Sequence, residues 1–305
     1  MSCIKKILIV LIVLVAKFTN AQDFPYHYFS HINPLISNPS LAAVSSDIKT
    51  DVGVYNLWAG GFKPLTDYMV SFSMSPGFQK QSRRTLYNTK VGIGAVFLKE
   101  KIGPFNQNIL HLIYAYHIPL DRKTILSMGI CGMVENMEID VNSLSPLQTD
   151  DPRLLSGNNN SFLIDGGFGA TLHGENYQFS FSALNLAPGV FHFRNSSAED
   201  IRNYRKYFVA GKYNFEVIDV IDFQPEFTVR NSKLHSFNFD VSGTFGFTYF
   251  SCGGGYRSEN SVFIFARIPF NDFNFTYTSE NPLRSNHLIG NGHTFTVGWN
   301  INPSN

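Results

Sequence analysis

After Ala43 the chain alternates apolar and polar residues one for one in short runs. Phe273, Phe275 and Tyr277 interleave with Asp272, Asn274, Thr276 and Thr278. Phe295, Val297, Trp299 and Ile301 interleave with Thr294, Thr296, Gly298 and Asn300. The runs 177–183, 221–229 and 236–241 read the same way, with Phe179, Phe181, Phe223, Phe227 and Phe239 on their apolar sides. A period of two marks a strand with one greasy face and one wet face. The pattern predicts fourteen strands: 50–60, 66–75, 90–99, 107–118, 124–135, 162–172, 176–184, 204–216, 220–230, 234–242, 245–257, 261–269, 272–279 and 293–301. Their usual length matches the roughly 9–11 residues with which a tilted strand crosses a bilayer.

Connection lengths carry a second regularity. With the N-terminus placed in the periplasm, the long gaps 136–161, 185–203 and 280–292 all follow odd strands and face outward. Gaps 119–123, 173–175, 217–219, 243–244 and 270–271 follow even strands and are short. Short inner turns with longer outer loops mark a bacterial outer-membrane barrel, as does an even strand number. Residues 76–89, with Lys80, Arg83 and Arg84, break the rule as a long inner connection. A soluble sandwich is the competing arrangement, but it requires the outer faces of both sheets to be wet. Residues 197–206 could form one helical turn with a capping-type start. The fold class expected is all-β, a transmembrane antiparallel barrel of about fourteen strands over 50–305.

Composition agrees. The chain has 29 Phe, 14 Tyr and 24 Gly, with only 15% charged residues, against about 25% in soluble domains. Mean hydropathy is −0.06, too low for a helical membrane protein and suited to strands with two unlike faces. The net charge of +1 gives neither a nucleic-acid footprint nor a polybasic membrane patch.

Residues 1–21 read as a secretory signal peptide. Lys5 and Lys6 precede the apolar run Ile7 to Ala16, and Thr19-Asn20-Ala21 offers a small-residue cleavage site before Gln22. An uncleaved anchor is the rival. Cys3 precedes the apolar run, so it is no lipoprotein cysteine. Cys131 and Cys252 lie in predicted strands, and two unpaired small strand residues are expected rather than a disulfide.

Catalytic patterns are weak throughout. Asp150-Asp151-Pro152 reads as a solvated turn rather than a glycosidase pair or a calcium loop. His111 with His117, and His287 with His293, lack partners at zinc spacing. Gly253-Gly254-Gly255 follows a strand but opens no helix, so it marks a bend or close packing rather than a phosphate cradle. No nucleophile arrangement is present. The reading is non-enzymatic, with no metal and no cofactor. Charges on the inward faces are expected to be sparse, which argues against a selective small-molecule channel.

A family resemblance runs through the chain in order. Asn33-Pro34-Leu35 and Asn38-Pro39-Ser40-Leu41-Ala42 open it. Leu57-Trp58-Ala59-Gly60-Gly61, Pro64 and Ser71-Phe72-Ser73 follow. Gly92-Ile93-Gly94, Lys101-Ile102-Gly103-Pro104 and Tyr114-Ala115-Tyr116-His117-Ile118-Pro119-Leu120 come next, then Pro225 with Arg230 and Gly255-Tyr256-Arg257. Over 22–301 the sequence resembles the PorP/SprF family. It departs from it at Thr278-Ser279-Glu280, at Gly292-His293-Thr294, and in the four residues trailing the last strand.

The resemblance implies an outer-membrane component of the Bacteroidota type IX secretion and gliding machinery. It implies partners among periplasmic ring and peptidoglycan-linked proteins, a secreted surface adhesin, and outer-membrane lipid, with no nucleic acid. Segment 22–49 is rich in proline and does not alternate, so it is a candidate periplasmic or plug-forming contact. Asn33, Pro34, Asn38, Pro39, Arg83 and Arg84 are the candidate partner-contact residues. The alternative function is an outer-membrane channel or transporter for small molecules.

Overall fold

The computed structural model describes residues 27–46, 48–57, 65–77, 89–140, 160–187, 189–192, 201–218, 220–233, 237–283 and 290–301. A short helix α1 (His27–Ser30) and two 3-10 turns, η1 (Pro34–Ile36) and η2 (Pro39–Leu41), precede the sheet. The strands are β1 (Ile48–Leu57), β2 (Leu65–Met74), β3 (Lys90–Ile102), β4 (Phe105–Pro119), β5 (Ile125–Ile139), β6 (Asn160–His173) and β7 (Tyr177–Leu184). A two-residue pair follows, β8 (Val190–Phe191) and β9 (Ile201–Arg202). The rest are β10 (Lys206–Tyr213), β11 (Phe215–Ile218), β12 (Ile221–Ser232), β13 (Asn238–Phe247), β14 (Ser251–Arg257), β15 (Ser261–Phe270), β16 (Phe273–Pro282) and β17 (Gly292–Ile301).

Antiparallel neighbours in sequence pair around a ring. The first and last strands close it, from Ile48 opposite Ile301 to Leu57 opposite Gly292. β10 and β11 form one lane against β12, since Lys212 faces Glu226 and Phe215 faces Phe223 in unbroken register. The result is a closed antiparallel barrel of fourteen strands. Closure leaves no backbone edge to meet lipid, where each unpaired N–H or C=O costs several kcal/mol.

The expected strands are all present, with three local differences. The turn placed at 243–244 lies at 248–250, so Phe245 and Phe247 belong to β13. There Phe247 N–H donates to the Phe250 carbonyl and closes the hairpin. β3 and β4 run on to a tight turn at Gly103-Pro104, where Gly103 holds φ +57°, a backbone that glycine adopts without strain. The helical turn expected within 197–206 is replaced at Ile201–Arg202 by a strand paired with β8. Residues 193–200 lie outside the described set.

Alternation sets the two faces. Ile130, Phe179, Phe181, Val241, Ile264, Phe275, Phe295 and Val297 are exposed on the barrel exterior, where hydrocarbon is the solvent. Their neighbours point inward. Gly253 and Gly255 face the lumen, where a Cβ on either would come within 2.8 Å of the Phe265 or Phe263 ring. The triple glycine is therefore a close-packing site.

The lumen is not left to water alone. Residues 27–46 run through it, and the main apolar cluster forms where they meet the wall. Phe29 is fully buried and clusters with Ile36, Tyr55, Met69, Ile109 and Met133. Tyr28 stacks on Tyr55 with ring centroids 3.8 Å apart. α1 lies near the ends of β1 and β16 distant from Ile48 and Ile301, while η2 packs on β5 and β6 nearer Ile48 and Ile301. The short connections 120–124, 174–176, 248–250 and 271–272 share the end at which β1 begins and β17 ends. The tight turns at 103–104 and 258–260 lie at the other. That majority assigns the Ile48 and Ile301 end to the periplasm.

Two outcomes test this arrangement. Ile130→Arg, on the lipid face near the middle of β5, lowers stability by about 2–4 kcal/mol, whereas Leu120→Arg in the periplasmic turn costs about 0–1. Urea unfolding of liposome-reconstituted protein measures both, and equal costs contradict the assigned face. Gly129→Val places a Cβ 2.5 Å from the Pro39 carbonyl carbon. It loosens residues 27–46 and speeds chymotrypsin cleavage at Tyr28 and Phe29 at least about tenfold in a barrel that stays closed. An unchanged rate places the segment elsewhere.

Candidate functional site: the barrel lumen

One local device appears twice in the lumenal segment. Asn33 and Asn38 each precede a proline and each cap a 3-10 turn. The proline fixes φ where the missing N–H costs nothing. Each asparagine oxygen accepts a hydrogen bond from the backbone two residues on, Leu35 N–H at 3.1 Å and Ser40 N–H at 3.0 Å. That leaves both amide nitrogens free to reach the wall. Asn33 Nδ2 donates to Asp51 Oδ2 at 2.9 Å and to Ser71. Asn38 Nδ2 donates to Thr171 Oγ1 at 3.1 Å.

Other bonds continue the seam. Ser182 donates to the Ser37 carbonyl at 2.6 Å. His117 Nε2 donates to the Ala42 carbonyl at 2.9 Å, and Ser127 bonds its other ring nitrogen. Arg257 donates to His31 Nδ1, which leaves His31 Nε2–H to donate to Thr278 at 3.1 Å. Burial raises the Tyr28 phenol well above its ordinary pKa, so it stays neutral in the segment.

The outer half of the lumen carries ion pairs. Arg230 contacts Asp240 at 2.8 Å and Glu259 at 3.4 Å. Arg257 contacts Glu280 at 2.9 Å and lies over the Phe263 ring. Both arginines are 1% exposed. On β5, Glu135 accepts from Asn185 and Asn203, which binds both ends of the outer connection 185–205 to the wall. Asp165 accepts from Ala187 N–H at 2.9 Å. Such charges survive burial only when paired and hydrogen-bonded.

The periplasmic half is different. A cavity of about 400 Å³ lies between the lumenal segment and the wall. Its lining includes Lys49, Lys212, Glu226, Arg267, Thr244 and Asn300. Most of these sit near the strand ends on the side of Ile48 and Ile301. Ser45, exposed, also lines the cavity.

The candidate residues fall into two groups. Asn33, Pro34, Asn38 and Pro39 lie in the lumen, with the asparagine side chains bonded to the chain itself and to the wall. Arg83 and Arg84 lie outside the described residues, as do Asp150, Asp151 and His287. His111 and His117 face inward, while His293 bonds Tyr277 on the outer face. Cys131 and Cys252 are free. Among the described residues no group of three or more His, Cys, Asp or Glu is arranged to hold a metal ion.

The expectation of sparse inward charges is overturned. Asp51, Asp67, Glu100, Glu135, Lys206, Lys212, Arg230, Arg257, Arg267 and Glu280 all take inward positions through the register. The signal was present as charges on the polar side of alternating strands. Its weight was hidden because a low overall charge fraction says nothing of how much of that charge one face collects.

Residues 18–299 match the family described as Type IX secretion system membrane protein PorP/SprF. No curated protein sequence matches the chain. Among solved structures it is similar to the CymD monoaromatic hydrocarbon channel, at 8% identity and a TM-score of 0.55, over 92% of this chain and 95% of that one. It is also similar to the Ralstonia pickettii toluene transporter TbuX, at 9% identity and a TM-score of 0.50, over 87% of this chain and 92% of that one. Identities this low speak for the fold alone. The family match covers nearly the whole barrel, and this outer-membrane chain belongs to the PorP/SprF family of type IX secretion system membrane proteins.

Proposed function

We propose that the protein is a non-enzymatic accessory barrel of the type IX secretion and gliding machinery, supporting the export or anchoring of a surface protein. The observation that carries this reading is the occupied lumen. Residues 27–46 are bonded to the wall from Asp51 and Ser71 around to Thr171 and Ser182, and ion pairs fill the outer half. A conducting pore requires a continuous water path instead. Its partners in this reading are periplasmic ring and peptidoglycan-linked components. We assign their contact to Arg83 and Arg84, with Asn33, Pro34, Asn38 and Pro39 holding the lumenal segment in place.

The second reading is a channel, since a hydrocarbon channel and a toluene transporter share this barrel fold. The cavity argues against a hydrocarbon cargo, because Lys49, Lys212, Glu226 and Arg267 line it and apolar ligands prefer apolar walls.

Planar-bilayer recording separates the two. The accessory reading expects no steady conductance from the full chain, and steady conductance after deletion of 27–45. In cells, loss of the gene removes one surface protein without general leakiness. Arg83→Glu with Arg84→Glu reduces co-purification of periplasmic components. Steady conductance of the intact protein, with unchanged export in the deletion strain, replaces the accessory role by the channel.

A further inference from the structure

The periplasm-facing cavity has the size and chemistry of a ligand site. Its volume of about 400 Å³ falls within the roughly 300–1,000 Å³ of small-molecule pockets. Its lining is unusual for a space that merely holds water, because it collects charge without pairing all of it. Lys49 contacts Asp51 at 3.3 Å, and Asp51 is further occupied by Asn33 and Ser71. Arg230 is engaged with Asp240 and Glu259.

Arg267 is the exception. Its only protein hydrogen bond among the described residues runs from Nε to Thr276 Oγ1 at 3.4 Å. Its two terminal nitrogens therefore present a fork of donors to the cavity. Lys212 lines the same cavity with no carboxylate within ion-pair distance among the described residues. Glu226 stands opposite Lys212 across the β10–β12 ladder and offsets part of this charge. Counting Lys49 and its partner Asp51 as well, three cations (Lys49, Lys212 and Arg267) face two acids (Asp51 and Glu226), so the wall keeps one positive charge in excess.

A planar guanidinium with its fork unoccupied matches a carboxylate in shape and charge, and takes it by two parallel hydrogen bonds. Hydroxyls of Ser180, Thr228 and Thr244 and the side chains of Gln178 and Gln224 line much of the wall side, with Phe208 and, from the lumenal segment, Leu35 and Leu41 as apolar neighbours. The polar groups suit a hydrophilic body rather than a greasy one. Lys49, Thr244, Arg267 and Asn300 lie near the periplasmic ends of their strands, while Arg230, paired with Asp240, bounds the cavity on its outer side. A ligand entering from the periplasm meets a socket.

We propose that this vestibule binds a hydrophilic ligand presenting a carboxylate, with Arg267 gripping the carboxylate and Lys212 beside it. A free organic acid and the C-terminus of a periplasmic polypeptide share that chemistry. This site is independent of the accessory role above, since it is read on purified protein without any export assay.

The test is calorimetric titration of the detergent-purified full chain with three probes: succinate, the tetrapeptide Gly-Ser-Asn-Ser as free acid, and the same peptide as C-terminal amide. At least one free acid binds with a Kd below about 10 mM, and the peptide amide binds at least about tenfold more weakly than the peptide acid wherever the acid binds. Succinate alone binding identifies a small acid as the source, and the peptide acid alone identifies a chain end. Arg267→Gln weakens binding at least about tenfold. Ala210→Trp fills the vestibule without removing a charge and abolishes binding. Heat-modifiable gel migration verifies that each variant is a closed barrel. No binding of either acid below about 10 mM overturns the proposal. So does equal binding of acid and amide, or wild-type affinity in Ala210→Trp.

Discussion

Hydrocarbon cannot hydrogen-bond a peptide group, and this one fact forces β1 against β17. Were Ile48–Leu57 and Gly292–Ile301 left as edges, each would present a row of N–H and C=O groups to lipid, at several kcal/mol apiece. Pairing them joins two segments nearly the whole chain apart. Every strand between must then be present and in register for the ring to close. Closure also fixes which side of each strand sees lipid, so a one-residue slip would turn Phe275 and Tyr277 inward and Thr276 and Thr278 outward.

The same closure creates an interior that must be filled. A ring of fourteen strands is too wide for wall side chains to meet across it. The protein fills the gap with its own residues 27–46. Asn33 and Asn38 reconcile two demands there, because a short segment without a helix or sheet ladder must still satisfy its backbone. Their oxygens close local turns and their nitrogens dock to Asp51 and Thr171. Glycines in the wall complete the fit. At Gly169 a Cβ would collide with the Asn38 side chain, and at Gly92 with the Ala42 carbonyl.

Much of the ring was legible in the amino-acid order, because alternation is a local signal and lipid demands it on every strand. The displaced turn shows where locality fails. The strand list placed a break at 243–244, yet β13 runs through it. Gly243 faces outward and the Phe223 ring of β12 covers it, with a Cβ there 3.0 Å from the ring. An aromatic neighbour on the next strand supplies the packing that glycine lacks. The proline-rich 22–49 stretch was legible as non-strand and as either a periplasmic or a plug-forming contact. It was not legible as the second over the first, since Asn33 and Asn38 would suit water as well as Asp51 and Thr171. The pairs Arg257–Glu280 and Glu135–Asn203 depend on register across several strands, and one sequence holds no direct record of that.

The lumenal segment is held by different contacts at its two ends, and this bears on what the protein can do. At its outer end Phe29 and Tyr28 are buried among Tyr55, Met69 and Ile109, contacts that water cannot replace. At its periplasmic end hydrogen bonds join Asn38, Ser40, Ser37 and Ala42 to Thr171, Ser182 and His117, beside apolar contacts of Leu41 and the buried Ala42. Each such bond nets only about 0.5–1.5 kcal/mol once water can take its place. The segment is nonetheless anchored at both ends, by stacked aromatic rings at the outer end and by close wall contact with hydrogen bonds at the other. The cavity runs beside η1 between them, so a ligand can occupy the cavity without displacing the segment.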